Sequence, residues 1–311
     1  MVYLILQSRI KNIIPNIDKI YKKINVVIIK QRISNNIYKY IRMNRFLLIN
    51  NRQFFDENGV ITIETPDDIP DKSSILFIGS HTGSMDNLHH IVKYFGDIEK
   101  KPYTYIIIVG KGDGRLKKDI KIPNNVKYIY APNTDYKHDK IKFLPMGCDF
   151  RSIESFSKAD EHDNQEILCY CNFSINTHPS RKRIYDGIKH RPCMTIENMQ
   201  TWMNYSISRD DFFTKLGQSK FVLCPRGNGL DTFRFYDSIY AGSIPILVKE
   251  QYHDNDIFKE IPMLLLKDEK EFKNLNWDSL TKHYEKLKKL RKDKYDSFDF
   301  SKFIKGLHSK L

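Results

Sequence analysis

The sequence predicts an α/β protein of two domains, each a parallel sheet covered by helices. Three observations predict it. From Phe46 onward, short apolar runs with strand character alternate with stretches of helical periodicity, which buries strands side by side under helices on both faces. The chain has 311 residues, 41% hydrophobic and 13% aromatic, enough for two cores of ordinary size. Residues 219–248 spell one complete unit of strand, turn, helix and parallel strand. The division expected is a basic arm over 1–45, a first domain over 46–148, a second over 149–275 and a helical tail over 276–311.

The arm carries ten Lys and Arg residues against one acid, Asp18. Its apolar stretch, Val2 to Leu6, is shorter than the ~7 residues that a signal peptide core requires, so secretion is not expected. Helical patches such as Ile17 to Ile24 suit peripheral contact with an anionic membrane, or packing as a solvated helix on the first domain. In the first domain, Ile75 to Gly79 reads as a buried strand, Ser84 to Phe95 as a helix, Tyr103 to Val109 as a second strand and Lys127 to Tyr130 as a third. Ligand crevices of open α/β sheets lie beyond the carboxyl ends of the strands, and Ser80, His81, Thr82, Asp86 and Asp113 fall near such ends. The run Gly110 to Arg115 is not a phosphate-binding Walker loop, because Gly112 stands where Ser or Thr is required. It reads as an exposed loop bordering the cleft, with direct ligand contact as the alternative.

Leu144 to Phe150, punctuated by Pro145 and Gly147, marks the crossing between domains, and the acidic stretch Ser152 to Gln165 a surface connection. The second domain opens with a strand over Ile167 to Phe173. A turn rich in hydroxyls follows, then a helix from Pro179 or Ser180 to about Lys189. Arg181 at that helix start suits a diphosphate; a capped turn with a surface ion pair is the alternative. Strand Cys193 to Glu197 and helix Arg209 to Leu216 lead to the central unit, and strand Met263 to Leu266 follows it. These repeated strand–helix units make both domains Rossmann-like.

In the central unit, strand Phe221 to Cys224 is stopped by Pro225, and the turn reads Arg226, Gly227, Asn228, Gly229. Glycines let the backbone approach a ligand. The helix beginning near Asp231 or Thr232 aims its free amides and positive dipole end into the turn, forming an anion site. Arg234 and Asp237, three residues apart on one face, suit a phosphate and a sugar hydroxyl.

At Cys224-Pro225, Gly227, Thr232, Arg234, Asp237 and Gly242-Ser243-Ile244-Pro245 the chain resembles the donor-binding domain of exostosin-like glycosyltransferases, of the two-domain GT-B class. Asp237 stands where that family usually has Glu. The resemblance implies a glycosyltransferase, hexosyl- or pentosyltransferase, that moves a sugar from a nucleotide sugar, a UDP-sugar, to a glycan or other hydroxyl acceptor. It also implies two domains that face one another across a central cleft. The donor-binding set expected joins the matched Gly227, Thr232, Arg234 and Asp237 to residues read from the turns themselves, Arg181, Arg226, Asn228 and Gly229. A base in the facing domain would deprotonate the acceptor, with Asp86 and His81 the candidates and Asp113 in reserve.

No cofactor and no metal is expected. Asp254-Asn255-Asp256 has the look of a metal-binding pair but is separated from its strand by Lys249 to His253, and reads as a helix cap. Five cysteines without framework spacing read as buried thiols of a reducing compartment. Charged residues at 29% and a mean hydropathy of −0.51 argue against a membrane span. The location expected is cytoplasmic, host cytoplasm if the AT-rich codon signature of abundant Ile, Lys, Asn and Tyr reflects a large DNA virus. A net charge of +13 leaves a second reading, a basic nucleic-acid-binding protein on a Rossmann-like scaffold. That reading wants basic and aromatic residues interleaved on one element, and the arm supplies only the basic part, so no specific nucleic acid is expected.

Overall fold

The computed structural model describes residues 52–79, 87–110, 120–133, 138–148, 154–159, 165–197, 207–251, 261–290 and 300–311. The basic arm, His81, Asp86, Asp113 and the segment Asp254 to Asp256 lie outside the described residues. Two five-stranded sheets make up the architecture, and every strand pairing in them is parallel.

The first sheet runs in chain order through β1 (Ile61–Thr62), β2 (Ser74–Ile78), β3 (Tyr105–Val109), β4 (Val126–Ala131) and β5 (Ile141–Phe143). β2 and β3 are buried along their whole length, which is why they read as unbroken apolar runs rather than alternating ones. Ile91, Tyr94, Phe95 and Ile98 cover one face, packing with Leu76, Ile78, Ile107 and Ile129. The single helix expected over 84–95 is two short ones, α2 (Asn87–Val92) and α3 (Phe95–Glu99), after α1 (Arg52–Glu57). The break falls where Tyr94 turns into the core: its N–H donates to Ile91 O at 3.1 Å and its hydroxyl to Glu64 O at 2.8 Å.

The second sheet has the order β10-β9-β8-β6-β7, with β6 (Ile167–Cys171), β7 (Met194–Ile196), β8 (Ser219–Leu223), β9 (Ile244–Val248) and β10 (Leu264–Leu266). Helix α4 (Pro179–Ile188) follows β6, α5 (Arg209–Gly217) follows β7 and α6 (Phe233–Tyr240) follows β8. One core gathers Cys169, Cys171, Phe221, Leu223, Ile244, Ile246, Ile184, Ile188, Phe272 and Leu280. All five cysteines are buried free thiols. α6 ends in a Schellman turn: Gly242 takes φ +84, its N–H donates to Ile239 O at 3.0 Å, and Ser243 N–H reaches back to Ser238 O at 2.9 Å.

The tail divides between the sheets. α7 (Trp277–Leu287) lies on the second, with Leu280 in its core and the Tyr284 hydroxyl donating to Gln165 Oε1 at 2.8 Å. α8 (Phe300–His308) returns to the first and packs on β2. There the Phe303 and Tyr130 rings meet edge to face at 5.1 Å, Ile304 and Leu307 are buried, and His308 Nε2 donates to Asn58 O at 2.9 Å.

Both sheets belong to one unit, Arg45–Leu311, and their carboxyl ends meet. Asn133, two residues past β4, accepts at Oδ1 from Asp231 N at 2.7 Å, and Met146, three residues past β5, donates its N–H to Asp231 Oδ2 at 2.8 Å. Two Rossmann-like halves thus face each other across their strand ends.

Candidate functional site

In the second sheet the chain leaves β6 toward β7 on one side and leaves β8 toward β9 on the other. The connections diverge between the adjacent strands β6 and β8. At such a topological switch point the two loops separate and open a crevice beyond the carboxyl ends. The loops here are 172–178, with Ser174 and Thr177, and 224–232, with Arg226, Gly227 and Gly229.

The first loop leads into α4, where Pro179 occupies the first turn and His178 caps it, its Nδ1 accepting from Ser180 N at 3.2 Å. Burial and the neighbouring Arg226 charge hold the His178 pKa below its ordinary value, which suits a neutral acceptor. Arg181 is 6% exposed and turned away from open space. Its Nε donates to Arg226 O at 2.6 Å, Nη2 to Pro225 O at 3.1 Å and Nη1 to Ser174 O at 3.1 Å. A guanidinium so enclosed must find partners, and backbone carbonyls surround it. Arg181, expected to grip a diphosphate, therefore ties the two loops together. Gly227 lies close against this guanidinium: an added Cβ would sit 3.3 Å from Arg181 Nη2.

In the second loop, Arg226 lies with Nη1 3.7 Å from Glu250 Oε1 and Nη2 donating to Asn228 O at 3.3 Å. Gly227 N–H closes a turn onto Gly229 O at 3.0 Å. Thr232 is the N-cap of α6, yet its side chain makes no capping bond, and Oγ1 is enclosed without a hydrogen-bond partner among the described residues. Two residues on, Arg234 Nε is likewise enclosed and without a partner. The guanidinium lies over the Phe212 ring at 5.8 Å, and burial pushes its pKa down, partly offset by Cys224 and Asp237. Asp237 is buried on the same helix. A half-buried cation with an unpartnered Nε and an unpartnered hydroxyl at the amino end of a helix form an arrangement that an anion would complete.

Three residues of this region were not singled out by their chemistry in the sequence: Asn133, Met146 and Asp231. Asp231 is 8% exposed, and its carboxylate also accepts from the Tyr236 hydroxyl at 2.6 Å and from Thr232 N at 2.9 Å. Burial pushes its pKa up to about 7 against the pull of these donors. Asn133 takes φ +54, and the one readable signal was its identity, since Asn tolerates the left-handed region better than other non-glycine residues.

Asp86 and His81 lie outside the described residues. Among the described residues no group of three or more His, Cys, Asp or Glu side chains is placed to hold a metal ion, and no helix is long and apolar enough to cross a membrane.

No curated protein matches the sequence. Among solved structures, a crystal structure of an alpha1,3-fucosyltransferase is similar at 14% identity, with 76% of this chain and 71% of that one covered and a TM-score of 0.36. The exostosin-like resemblance rests on the motif at 224–245. Residues 149–297, just under half of the chain and the part that carries both loops, match the RXYLT1 C-terminal domain, a glycosyltransferase family, so the half that holds the candidate site is glycosyltransferase-like in sequence.

Proposed function

We propose that the protein transfers a sugar from a nucleotide sugar, a UDP-sugar, to the hydroxyl of a glycan or other acceptor, and does so without a metal ion. The observation that carries this reading is Arg234, half-buried with its Nε enclosed and without a hydrogen-bond partner among the described residues, beside Thr232, an N-cap of α6 whose side chain makes no capping bond. A charge so placed lowers stability unless an anion arrives, and a donor diphosphate supplies one. In this reading Arg234, Thr232, Arg226 and the α6 amides receive the diphosphate, Gly227, Asn228 and Gly229 let it approach the backbone, and Asp237 holds the ribose. Arg181 acts one step removed, by fixing the carbonyls of Pro225 and Arg226.

In the transfer, the bond between the anomeric carbon and the diphosphate oxygen breaks while one to the acceptor oxygen forms. The negative charge that develops on the departing diphosphate meets Arg234, Arg226 and the helix end. The acceptor proton passes to a base on the first half, for which Asp86 and His81 remain the candidates.

Thermal shifts with a panel of UDP-, GDP- and CMP-sugars test the reading. The UDP-sugars should raise Tm in the wild type and have no effect on Arg234→Met, whereas CMP-sugars, which carry a single phosphate, should leave both unchanged. A panel in which none raises Tm would defeat it.

A further inference from the structure

The loop 224–232 is fixed from both halves of the molecule. Arg181 ties its first residues to the second half, whereas its last residues are tied to the first half through Asp231. The Asp231 N–H donates to Asn133 Oδ1 at 2.7 Å and Asp231 Oδ2 accepts from Met146 N at 2.8 Å, partners 98 and 85 residues earlier in the chain. The carboxylate is in turn bound to α6 by the Tyr236 hydroxyl at 2.6 Å and by Thr232 N at 2.9 Å. Two further features converge on this contact. Asn133 holds a left-handed conformation, φ +54, and makes a contact from Nδ2 to Met146 Sδ at 3.3 Å. Gly229 packs so closely on it that a Cβ would lie 2.2 Å from Asn133 Cγ. A strained backbone, an obligatory glycine and a buried carboxylate at one junction exceed what packing two domains requires, since apolar contact alone would do that.

We propose that Asp231 is a positioning residue: it locks the donor loop and the amino end of α6 to the strand ends of the first half. The nucleotide subsite is then complete only while the two halves hold this relation. The inference rests on the reading above that this loop receives the donor diphosphate. Opening the halves breaks the Asn133 and Met146 bonds, releases residues 229–232 and unseats Thr232 and Arg234 together. Donor affinity thereby depends on residues of the first half that touch no donor.

UDP and GDP titrated calorimetrically into the full chain, with hydrogen exchange followed over 144–148 and 226–232, test the proposal. Asp231→Ala removes the carboxylate, and Asn133→Gly removes the carboxamide while tolerating the positive φ. Each should weaken binding of whichever diphosphate the wild type takes by at least tenfold and speed exchange in both segments. Ile304→Ala, a core truncation in the first half, serves as the control for lost stability and should leave affinity within twofold. Affinity within twofold of wild type in both junction variants overturns the proposal, as does weakened binding with unchanged exchange over 144–148. A wild type that binds neither UDP nor GDP removes the donor reading and this inference with it, an outcome seen before any variant is compared.

Discussion

Arg181 and Arg234 look alike in the sequence and differ in the structure by what surrounds their guanidinium groups. Arg181 donates to three backbone carbonyls, so Arg181→Ala should orphan buried acceptors and cost roughly 2–4 kcal/mol of stability, read by denaturant unfolding. Arg234 Nε has no hydrogen-bond partner among the described residues, and Arg234→Met should leave Tm unchanged or higher while weakening nucleoside diphosphate binding at least about tenfold. Equal thermal losses in the two variants would contradict this division of labour. Asp231 gives a prediction in pH. Burial raises its pKa in the folded chain to about 7, above its unfolded value. Between about pH 4 and 7 the folded state therefore binds more protons, and stability falls as pH rises through that window, by at most about 1.4 kcal/mol per unit, before levelling off. The Tm difference between wild type and Asp231→Asn should shrink or reverse from pH 5 to pH 8; a pH-independent difference would show that Asp231 does not titrate there.

The elements legible in the sequence were those whose burial leaves a periodic trace. β2, β3, β8 and β9 are buried along nearly their whole length and appear as apolar runs, and α6 is bracketed by the Pro225 to Gly229 turn and by Gly242. β1 and β5, of two and three residues, leave too little pattern to detect, and the Tyr94 break depends on a hydroxyl bond to Glu64, a residue outside its own helix. In the candidate site, the turn between β8 and α6 was readable because proline and glycine punctuate the chain locally. The Asp231 junction was not, because its partners Asn133 and Met146 are brought to it by tertiary structure alone. At this scale α8 offers a direct test. Ile304 is fully buried, and Ile304→Ala should destabilise the protein by about 2–5 kcal/mol through the cavity it leaves, measured by urea unfolding.

For the whole molecule, net charge is concentrated rather than spread: of a total of +13, residues 1–45 carry ten basic groups and one acid. Removing that arm should spare nucleotide binding and reduce retention on anionic liposomes at physiological salt, where screening leaves only dense clusters effective. Equal retention with and without it would place the attraction elsewhere. The return of α8 to the first sheet has a consequence for synthesis. His308 meets Asn58, 250 residues earlier, so the face of β2 that α8 covers stays bare until α8 itself leaves the ribosome. At ~5–20 residues per second that interval is on the order of tens of seconds. The nascent protein thus carries an uncovered apolar sheet for longer than most small domains take to fold, and chaperones have that time in which to engage it.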